Sequence, residues 1–302
     1  MDLRIFSYLP NPRIWKATIA ARLCGITIDI RGAAPNEIPE WLWDFEAHPM
    51  TDDERADSSG FARQSRTGFG GKPLYKTDAF LEAIPFGTVP AAFSPDGSVG
   101  VFESNSIMRT VARLGADKCP LYGSDAYMAS RIDGFLDTSL VFARDSQIYL
   151  LSLRDGRVTK DIHARTSEAL HAYLSGLDRA LFPNRSFLVG ETLSIADICM
   201  VAELALFSRE RIYAETLRAL GLDCITGPDV DERYPRVTKH FHTLCRHEAF
   251  APDVLPYLEK VAAKPWVSDT IAACVSVPGE TPFKIPKHQG SMPAPGTSRL
   301  QG

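Results

Sequence analysis

The sequence lacks a strong excess of charge and has no long hydrophobic run. Its 302 residues contain 33 Lys and Arg against 37 Asp and Glu, a formal net charge of −4. Nucleic acids and anionic membrane surfaces are usually bound by clustered Lys and Arg, so this balance argues against both partners. No apolar run reaches the roughly eighteen residues of a membrane span, and the amino terminus lacks the pattern of a secretion signal. We therefore expect a cytoplasmic protein.

The sequence also lacks a CxxC pair, because its six cysteines are widely spaced. Such pairs are typical of structural zinc sites and of dithiol redox sites. Three histidines, His240, His242 and His247, are close in sequence, but their i, i+2 and i+7 positions do not share one helical face. We expect no metal site, and we expect most of the thiols to be buried.

What the sequence does contain is enough apolar material for two modest domains, with 45% hydrophobic and 10% aromatic residues. Residues 3–8 alternate like a strand, residues 14–25 have a helical pattern ending at Gly25, and residues 26–32 form a second β-branched strand. An insertion at about residues 33–76 follows, which is too long to be a simple connection.

The next segment completes an α/β domain over residues 1–115. Thr77 is a candidate N-cap for a short helix, which is followed by strands over 89–93 and 98–102 and by a helix from Ser104. Residues 124–260 have helical periodicity almost throughout and predict a second, all-helical domain. The extension over 264–302 is rich in Pro, Gly and Ser without a period, and we expect it to be disordered or draped over the body.

The stretch from Thr88 to Ser104 predicts a peptide-binding site. If Pro90 is cis, the backbone of Val89 is turned outward and can pair with an extended peptide. The helix start at Ser104 offers free amides to a carboxylate, and Glu103 can pair with an α-amino group. Together these groups suit a small zwitterionic peptide.

These residues carry a family resemblance. The Val-Pro pair, the Asp-Gly hairpin and the Glu-Ser-Asn helix start resemble the thioredoxin-like half of glutathione transferases. In the second half, FLVGETLSIADI resembles the helix-capping motif of that superfamily, with Ser194 and Asp197 in structural roles. Residues 7–21 and 77–93 are similar to the transferase-like domain of the elongation factor gamma subunit, whereas RIDGFLDTSLVFARDSQIYLL resembles bacterial transferases.

The resemblance implies a thioredoxin-like domain followed by an all-helical domain, with glutathione bound through Thr88, Val89, Pro90, Glu103 and Ser104. A free thiol has a pKa near 8.5, and the thiolate is the nucleophile, so the site must help the thiol to ionise. Family members place a Tyr, Ser or Cys where the first strand meets its helix.

That junction, FSYLPNPRIW, contains Ser7, Tyr8, Asn11 and Arg13 but no cysteine, which argues against a mixed-disulfide mechanism. Arg13 is the leading candidate to stabilise the thiolate, with Asn11 as a hydrogen-bond donor and Tyr8 secondary. The alternative is that Arg13 is a solvated first-turn residue and Tyr8 a core aromatic.

A second substrate should lie between the domains, against the first long helix of the second one. Phe142, Arg144 and Tyr149 offer aromatic walls and hydrogen bonds, and Trp41 and Trp43 of the insertion could form a roof, which suits an aromatic electrophile. Equally, Phe142 and Tyr149 could be core residues at helical spacing.

Two functions follow from the resemblance. One is a glutathione transferase acting on a small hydrophobic substrate, with cleavage of a β-aryl ether as one version. The other is a non-catalytic binding or assembly module, like the elongation factor domain. The presence of Glu103 and Ser104 favours the enzyme.

We also expect a two-fold dimer, joined through helices starting near Ser104 and Ser124. A heterodimer with a different chain is the open alternative.

Overall fold

The computed structural model describes residues 1–65, 69–227 and 229–262. The predicted extension over 264–302 lies outside them. The first part of the chain mixes strands and helices: β1 (Leu3–Phe6), α1 (Pro12–Cys24), β2 (Ile28–Arg31), β3 (Trp41–Trp43), β4 (His48–Pro49), α2 (Asp52–Asp57), β5 (Ala62–Gln64), β6 (Pro73–Lys76), α3 (Asp78–Ala83), β7 (Ala91–Phe93), β8 (Gly100–Phe102) and α4 (Ser104–Leu114). The second part is helical: α5 (Ala126–Arg154), α6 (Lys160–Ala180), α7 (Ile195–Phe207), α8 (Ala214–Ala219), α9 (Asp229–Arg233), α10 (Pro235–Cys245) and α11 (Ala251–Ala262).

The main sheet has the order β2-β1-β7-β8, with β1 parallel to β2 and the other pairs antiparallel. This is the thioredoxin-like arrangement that the family resemblance implies. Helix α1 ends where expected, because Gly25 has φ = 66° and so takes the left-handed C-cap. The predicted cap of α3 is also confirmed, since the Thr77 side chain accepts a hydrogen bond from the Phe80 amide at 3.0 Å.

The segment between β2 and α3 builds a second sheet, of order β4-β3-β6-β5. It lies against one face of the main sheet, as the alternation of buried residues along β1 shows. Leu3 and Ile5 belong to the core cluster that also holds the helices. Phe6 belongs to a separate cluster with Trp43 of β3 and Phe93 of β7. The insertion therefore supplies the apolar cover for a face that would otherwise be exposed.

Helix α7 forms the centre of the helical part and is buried along most of its length. Its predicted capping box is present: the Ser194 hydroxyl and amide both donate to Asp197, at 2.8 and 3.0 Å. Asp197 also accepts from the Leu188 amide at 3.0 Å and lies 2.8 Å from His240 Nε2. His240 thus has a structural partner, and the described residues contain no cluster of three potential metal ligands.

None of the described helices is both long and apolar enough to cross a bilayer.

Candidate functional site

Strand register brings the predicted glutathione-binding residues to one edge of the main sheet. Phe6 lies opposite Ala91 across β1 and β7, and Ala91 lies opposite Phe102 across β7 and β8. If each of the three strands is extended beyond these pairs, Tyr8, Val89 and Ser104 lie at the same end of neighbouring strands. In the sequence Tyr8 is distant from Val89 and Ser104, and antiparallel strand pairing brings the three close together in space.

Val89 offers an unpaired backbone at this edge. The Val89–Pro90 peptide bond is cis, as expected. Within the described residues, neither the amide nor the carbonyl of Val89 has a hydrogen-bond partner. Pro90 is buried, Val89 is partly buried and Thr88 is exposed. An extended peptide could therefore pair with Val89 while contacting Thr88.

The start of α4 presents free donors beside Val89. Glu103 has φ = 66°, an uncommon conformation for a residue with a side chain, and its carboxylate is exposed. It makes no capping hydrogen bond to the helix, and among the described residues no other side chain is recorded as accepting from the first amides of α4. An uncapped helix start attracts a carboxylate, and the free Glu103 carboxylate attracts an ammonium group. This pair of charges matches the two ends of an amino acid.

Beneath this site lies a fully buried lysine that sequence reasoning missed. Lys16 Nζ donates to Glu203 Oε1 at 2.6 Å, to Asn105 Oδ1 at 2.8 Å and to Ser104 Oγ at 3.4 Å. Lys16 is 0% exposed and Glu203 is 1% exposed. The three donors of the ammonium group are therefore all used. The network ties α1, α4 and α7 together directly under the predicted carboxylate site.

Arg13 belongs to the same network and is not a solvated first-turn residue. Its Nη1 donates to Gln147 Oε1 at 2.9 Å and its Nη2 to the Ala143 carbonyl at 3.4 Å, both on α5. Its Nε lies 3.6 Å from Glu203 Oε1. Burial acts to raise the pKa of Glu203, but Lys16 and Arg13 outweigh it and hold that pKa below its ordinary value. Arg13 thus connects the two halves of the chain.

Ser7 and Asn11 require a correction, because both are buried and committed to local structure. Ser7 is 0% exposed and Asn11 is 2% exposed. The Asn11 amide donates to Ser7 Oγ at 3.1 Å, and its carbonyl oxygen caps α1 by accepting from the Arg13 amide at 3.0 Å. Both side chains are therefore buried and bonded to each other, and the Asn11 carbonyl oxygen is used by the helix start.

Tyr8 is the candidate that keeps a free hydroxyl. It is partly buried, packs edge-on against Phe69, and its hydroxyl has no hydrogen-bond partner in the described part of the chain. Burial raises the pKa of Tyr8, although the charges of Arg13, Arg209 and Arg154 act to lower it. The phenol is therefore protonated at neutral pH and can donate a hydrogen bond. No local sequence pattern pointed to Arg154 or Arg209, which come from α5 and the segment after α7.

The two insertion tryptophans do not roof a pocket, contrary to the sequence prediction. Trp43 is 1% exposed and packs edge-on against Phe6, Phe69 and Phe80. Trp41 is partly buried and stacks on Phe6 with ring centroids 5.9 Å apart. Both rings belong to the core between the two sheets, because the apolar face of β1 needs a cover.

The aromatic residues proposed on α5 are also core residues, as the alternative interpretation held. Phe142 is 2% exposed and stacks on Tyr173 at a centroid distance of 4.8 Å. Tyr149 is 0% exposed, and its hydroxyl donates to Glu210 at 2.7 Å. Arg144 faces outward and is exposed. The side chains of Phe142 and Tyr149 are therefore turned away from Tyr8, since the apolar stripe of the helix packs against α6 and α7.

Chemically, the edge can hold a short zwitterionic peptide with Tyr8 beside it. Backbone pairing at Val89 could hold the middle of such a peptide, and the α4 start with Glu103 could hold one end. A protonated phenol near several arginines stabilises an anion placed next to it.

Comparison with known proteins finds a family model and several relatives that match this chain. Residues 157–248 match the family model "Glutathione S-transferase, C-terminal domain". A probable elongation factor 1-gamma of Arabidopsis thaliana is 30% identical over 215 residues, which cover 69% of this chain and 46% of that protein. A glutathione S-transferase-like protein of Gibberella moniliformis is 29% identical, with 71% of this chain and 80% of that protein covered.

Solved structures agree with the fold. A glutathione S-transferase of Methylobacterium radiotolerans, determined with glutathione sulfonate, superposes with a TM-score of 0.54 at 18% identity, covering 84% of this chain and 95% of that one. The chain spans less than half of the length of the elongation factor relatives it matches, for example 46% and 44% for the Arabidopsis thaliana and Oryza sativa proteins.

Proposed function

Because this chain has the glutathione transferase fold and a C-terminal domain of the glutathione S-transferase family, we propose that it binds glutathione and transfers its thiolate to a hydrophobic, aromatic electrophile. The observation that carries the proposal is the uncapped start of α4 beside the unpaired backbone of Val89. In this proposal the γ-glutamyl carboxylate meets the α4 amides and Ser104, and the ammonium group meets Glu103. The cysteinyl backbone pairs with Val89.

The chemistry begins when the thiol loses its proton to solvent. The Tyr8 hydroxyl then donates a hydrogen bond to the thiolate, and the positive charges of Arg13, Arg209 and Arg154 favour the anion. The thiolate attacks an electrophilic carbon to form a C–S bond, and the bond from that carbon to its leaving group breaks, so that the leaving group departs with the electron pair. In the β-aryl ether version the C–O bond breaks and the aryl oxide leaves, taking a proton from water.

The second candidate is a binding or assembly module without catalysis. The likeness to elongation factor 1-gamma favours it, since a relative with that name is 30% identical over 69% of this chain. The two candidates make different predictions for the bound thiol. A transferase lowers the pKa of bound glutathione below its solution value, whereas a module leaves it unchanged.

Glu103→Ala should weaken glutathione binding at least about tenfold, or roughly 1.4 kcal/mol. The exposed carboxylate is the one group at the site suited to the ammonium end, so its loss leaves that end unpaired. Isothermal titration calorimetry measures the effect. Glu82→Ala, an exposed carboxylate on the neighbouring α3, is the matched control and should bind like wild type. Equal affinity for Glu103→Ala and wild type would rule out this site.

We further propose that the chain forms a two-fold dimer through α4 and α5. Large apolar side chains are exposed on this side of the molecule: Tyr127 is 89% exposed and Val141 is 67% exposed, both on α5. Analytical ultracentrifugation at micromolar concentration should give a dimer, and Val141→Glu should shift it toward monomer. Leu220→Glu, which changes an exposed leucine after α8, should leave the dimer intact. A wild-type monomer contradicts the proposal.

A further inference from the structure

Two cysteines meet at the end of α1 that lies opposite Arg13. Cys24 is the last residue of α1, and Cys119 lies 95 positions later, in the segment 115–125 that joins α4 to α5. Cys24 Sγ is 3.6 Å from the Cys119 carbonyl oxygen, and the two thiols also form a hydrogen bond with each other. A disulfide can form only between sulfur atoms that come close together, and this pair does so while both thiols are free.

The backbone holds Cys119 against Cys24. The Cys119 amide donates to the Gly115 carbonyl at 3.0 Å, and the Leu121 amide donates to the Cys119 carbonyl at 2.8 Å. A Cβ atom on Gly115 would lie 2.2 Å from the Cβ of Cys24, so only a glycine lets this turn approach α1 so closely. The contact between the two cysteines therefore depends on the packing of the turn and does not rest on side-chain conformation alone.

The two thiols differ in exposure and in acidity. Cys119 is partly exposed, whereas Cys24 is 0% exposed. The hydrogen bond with Cys24 lowers the pKa of Cys119, although burial acts to raise it. The same hydrogen bond, together with burial, raises the pKa of Cys24, although the charge of Lys118 acts to lower it. Cys119 is thus the thiolate that meets solvent, and Cys24 keeps its proton behind it.

The other cysteines in the described ranges do not combine exposure with acidity. Cys199 and Cys245 are buried. Cys224 is partly exposed like Cys119, but burial raises its pKa to about 12. A thiol that stays protonated at neutral pH is a poor nucleophile. An exposed thiolate with a second thiol next to it is the arrangement found in cysteines that respond to oxidants.

We propose that Cys119 and Cys24 form a reversible oxidation site for hydrogen peroxide, in which Cys119 reacts first and Cys24 then closes a disulfide. The Cys119 thiolate attacks one oxygen of the peroxide, the O–O bond breaks, and hydroxide leaves with the electron pair, so that Cys119 becomes a sulfenic acid. The Cys24 thiol attacks the Cys119 sulfur, the S–O bond breaks, and the oxygen leaves as water with the Cys24 proton. The two cysteines lose two electrons, and the peroxide is reduced to water.

The oxidation site is separate from the candidate glutathione-binding edge. Helix α1 has 13 residues and begins at Pro12 beside that edge, so Cys24 is about 18 Å away along the helix axis. The disulfide would fasten the end of α1 to the segment that joins the two halves of the chain. Oxidation at this site does not depend on glutathione transfer.

Mass spectrometry tests the proposal on the full chain after exposure to hydrogen peroxide in buffer without reductant. The remaining thiols are blocked with N-ethylmaleimide and the chain is digested. We expect two peptides joined by a disulfide between Cys24 and Cys119, and dithiothreitol should restore both thiols. In Cys24→Ala the second step is lost, so Cys119 should accumulate as a sulfenic acid that dimedone traps.

Cys224→Ser is the matched control, because Cys224 is also partly exposed. This variant should form the Cys24–Cys119 disulfide as wild type does. In wild type, Cys224 should be oxidised at least about tenfold more slowly than Cys119, because it is protonated.

Three results would overturn the proposal. The first is a Cys119 thiol that does not react with peroxide in wild type. The second is a disulfide that joins Cys119 to Cys274 or to a second chain in place of Cys24. The third is oxidation of Cys224 as fast as that of Cys119. Circular dichroism checks that Cys24→Ala is folded, and mapping of the wild-type disulfide does not depend on that variant.

Discussion

Lys16→Met should lower the free energy of unfolding by about 3–5 kcal/mol, the largest effect we expect from a single substitution in this chain. The substitution leaves the Glu203 carboxylate buried without its shortest contact, the 2.6 Å hydrogen bond from Lys16 Nζ. Oε2 of Glu203 already has no hydrogen-bond partner in the described structure. Only the more distant Arg13, whose Nε lies 3.6 Å from Oε1, then compensates the charge, and a poorly compensated buried charge costs far more than a lost surface contact.

Two further variants separate burial from charge. Arg22→Met removes another α1 cation, whose ion pair with Asp253 is partly exposed, and should cost within about 1 kcal/mol. The double variant Lys16→Met/Glu203→Met removes both buried charges and should recover most of the lost stability. Urea denaturation measures the free energy of unfolding of all three variants. A Lys16→Met chain as stable as Arg22→Met, or a double variant no better than the single one, would contradict the buried-pair account.

The same pair makes stability depend on pH. The pKa of Glu203 in the folded protein lies below its ordinary value. The contribution of Glu203 to the free energy of unfolding is therefore complete above the pKa of a Glu in the unfolded chain, about 4.3. It is lost as the pH falls through the lower pKa of Glu203 in the folded protein. The urea concentration at the midpoint of unfolding, measured against pH, should show this loss in wild type and should lack it in the Lys16→Met/Glu203→Met variant.

Tyr8→Phe should reduce kcat/KM for glutathione transfer by about a hundredfold, the range found when one preorganised donor to a developing anion is removed. The reason is that burial keeps the Tyr8 phenol protonated and that its hydroxyl has no partner among residues 1–65, 69–227 and 229–262. The pKa of bound glutathione should rise by about one unit or more, because the thiolate loses its hydrogen bond. Ultraviolet absorbance of the thiolate against pH measures this shift.

The contacts of Arg13 lead us to propose Tyr8, not Arg13, as the main group that would stabilise a thiolate. The Arg13 guanidinium is bound to Gln147 and Ala143 and lies near Glu203, so in this proposal it acts only through charge at a distance. Arg13→Lys keeps that charge and should change the thiol pKa less than Tyr8→Phe does. Tyr122→Phe, whose hydroxyl donates to Asp133 at 2.6 Å on the far side of α4, should have no effect. If bound glutathione titrates at its solution pKa in wild type, the module without catalysis is the better account.

Local patterns in the sequence were enough for the order of elements and for their caps. Gly25, Thr77 and the pair Ser194 and Asp197 act within a few residues of themselves, so their roles depend on nearby backbone. The arrangement of the main sheet was implied by the family resemblance of the Val-Pro pair, the Asp-Gly hairpin and the Glu-Ser-Asn helix start. The insertion had no readable period, since its strands are two to four residues long.

What only the tertiary structure decided is which side chains meet. Hydrophobic periodicity shows that Phe142 and Tyr149 lie on one face of α5, but a core and a substrate pocket both need such a face. The buried pair joins Lys16 to Glu203 across 187 positions of sequence, and nothing near either residue indicates its partner. Strand pairing alone brings Tyr8, Val89 and Ser104 to one edge. The sequence by itself thus determined the fold and the candidate glutathione-binding residues, whereas packing over long sequence distances determined which polar groups remain free for chemistry.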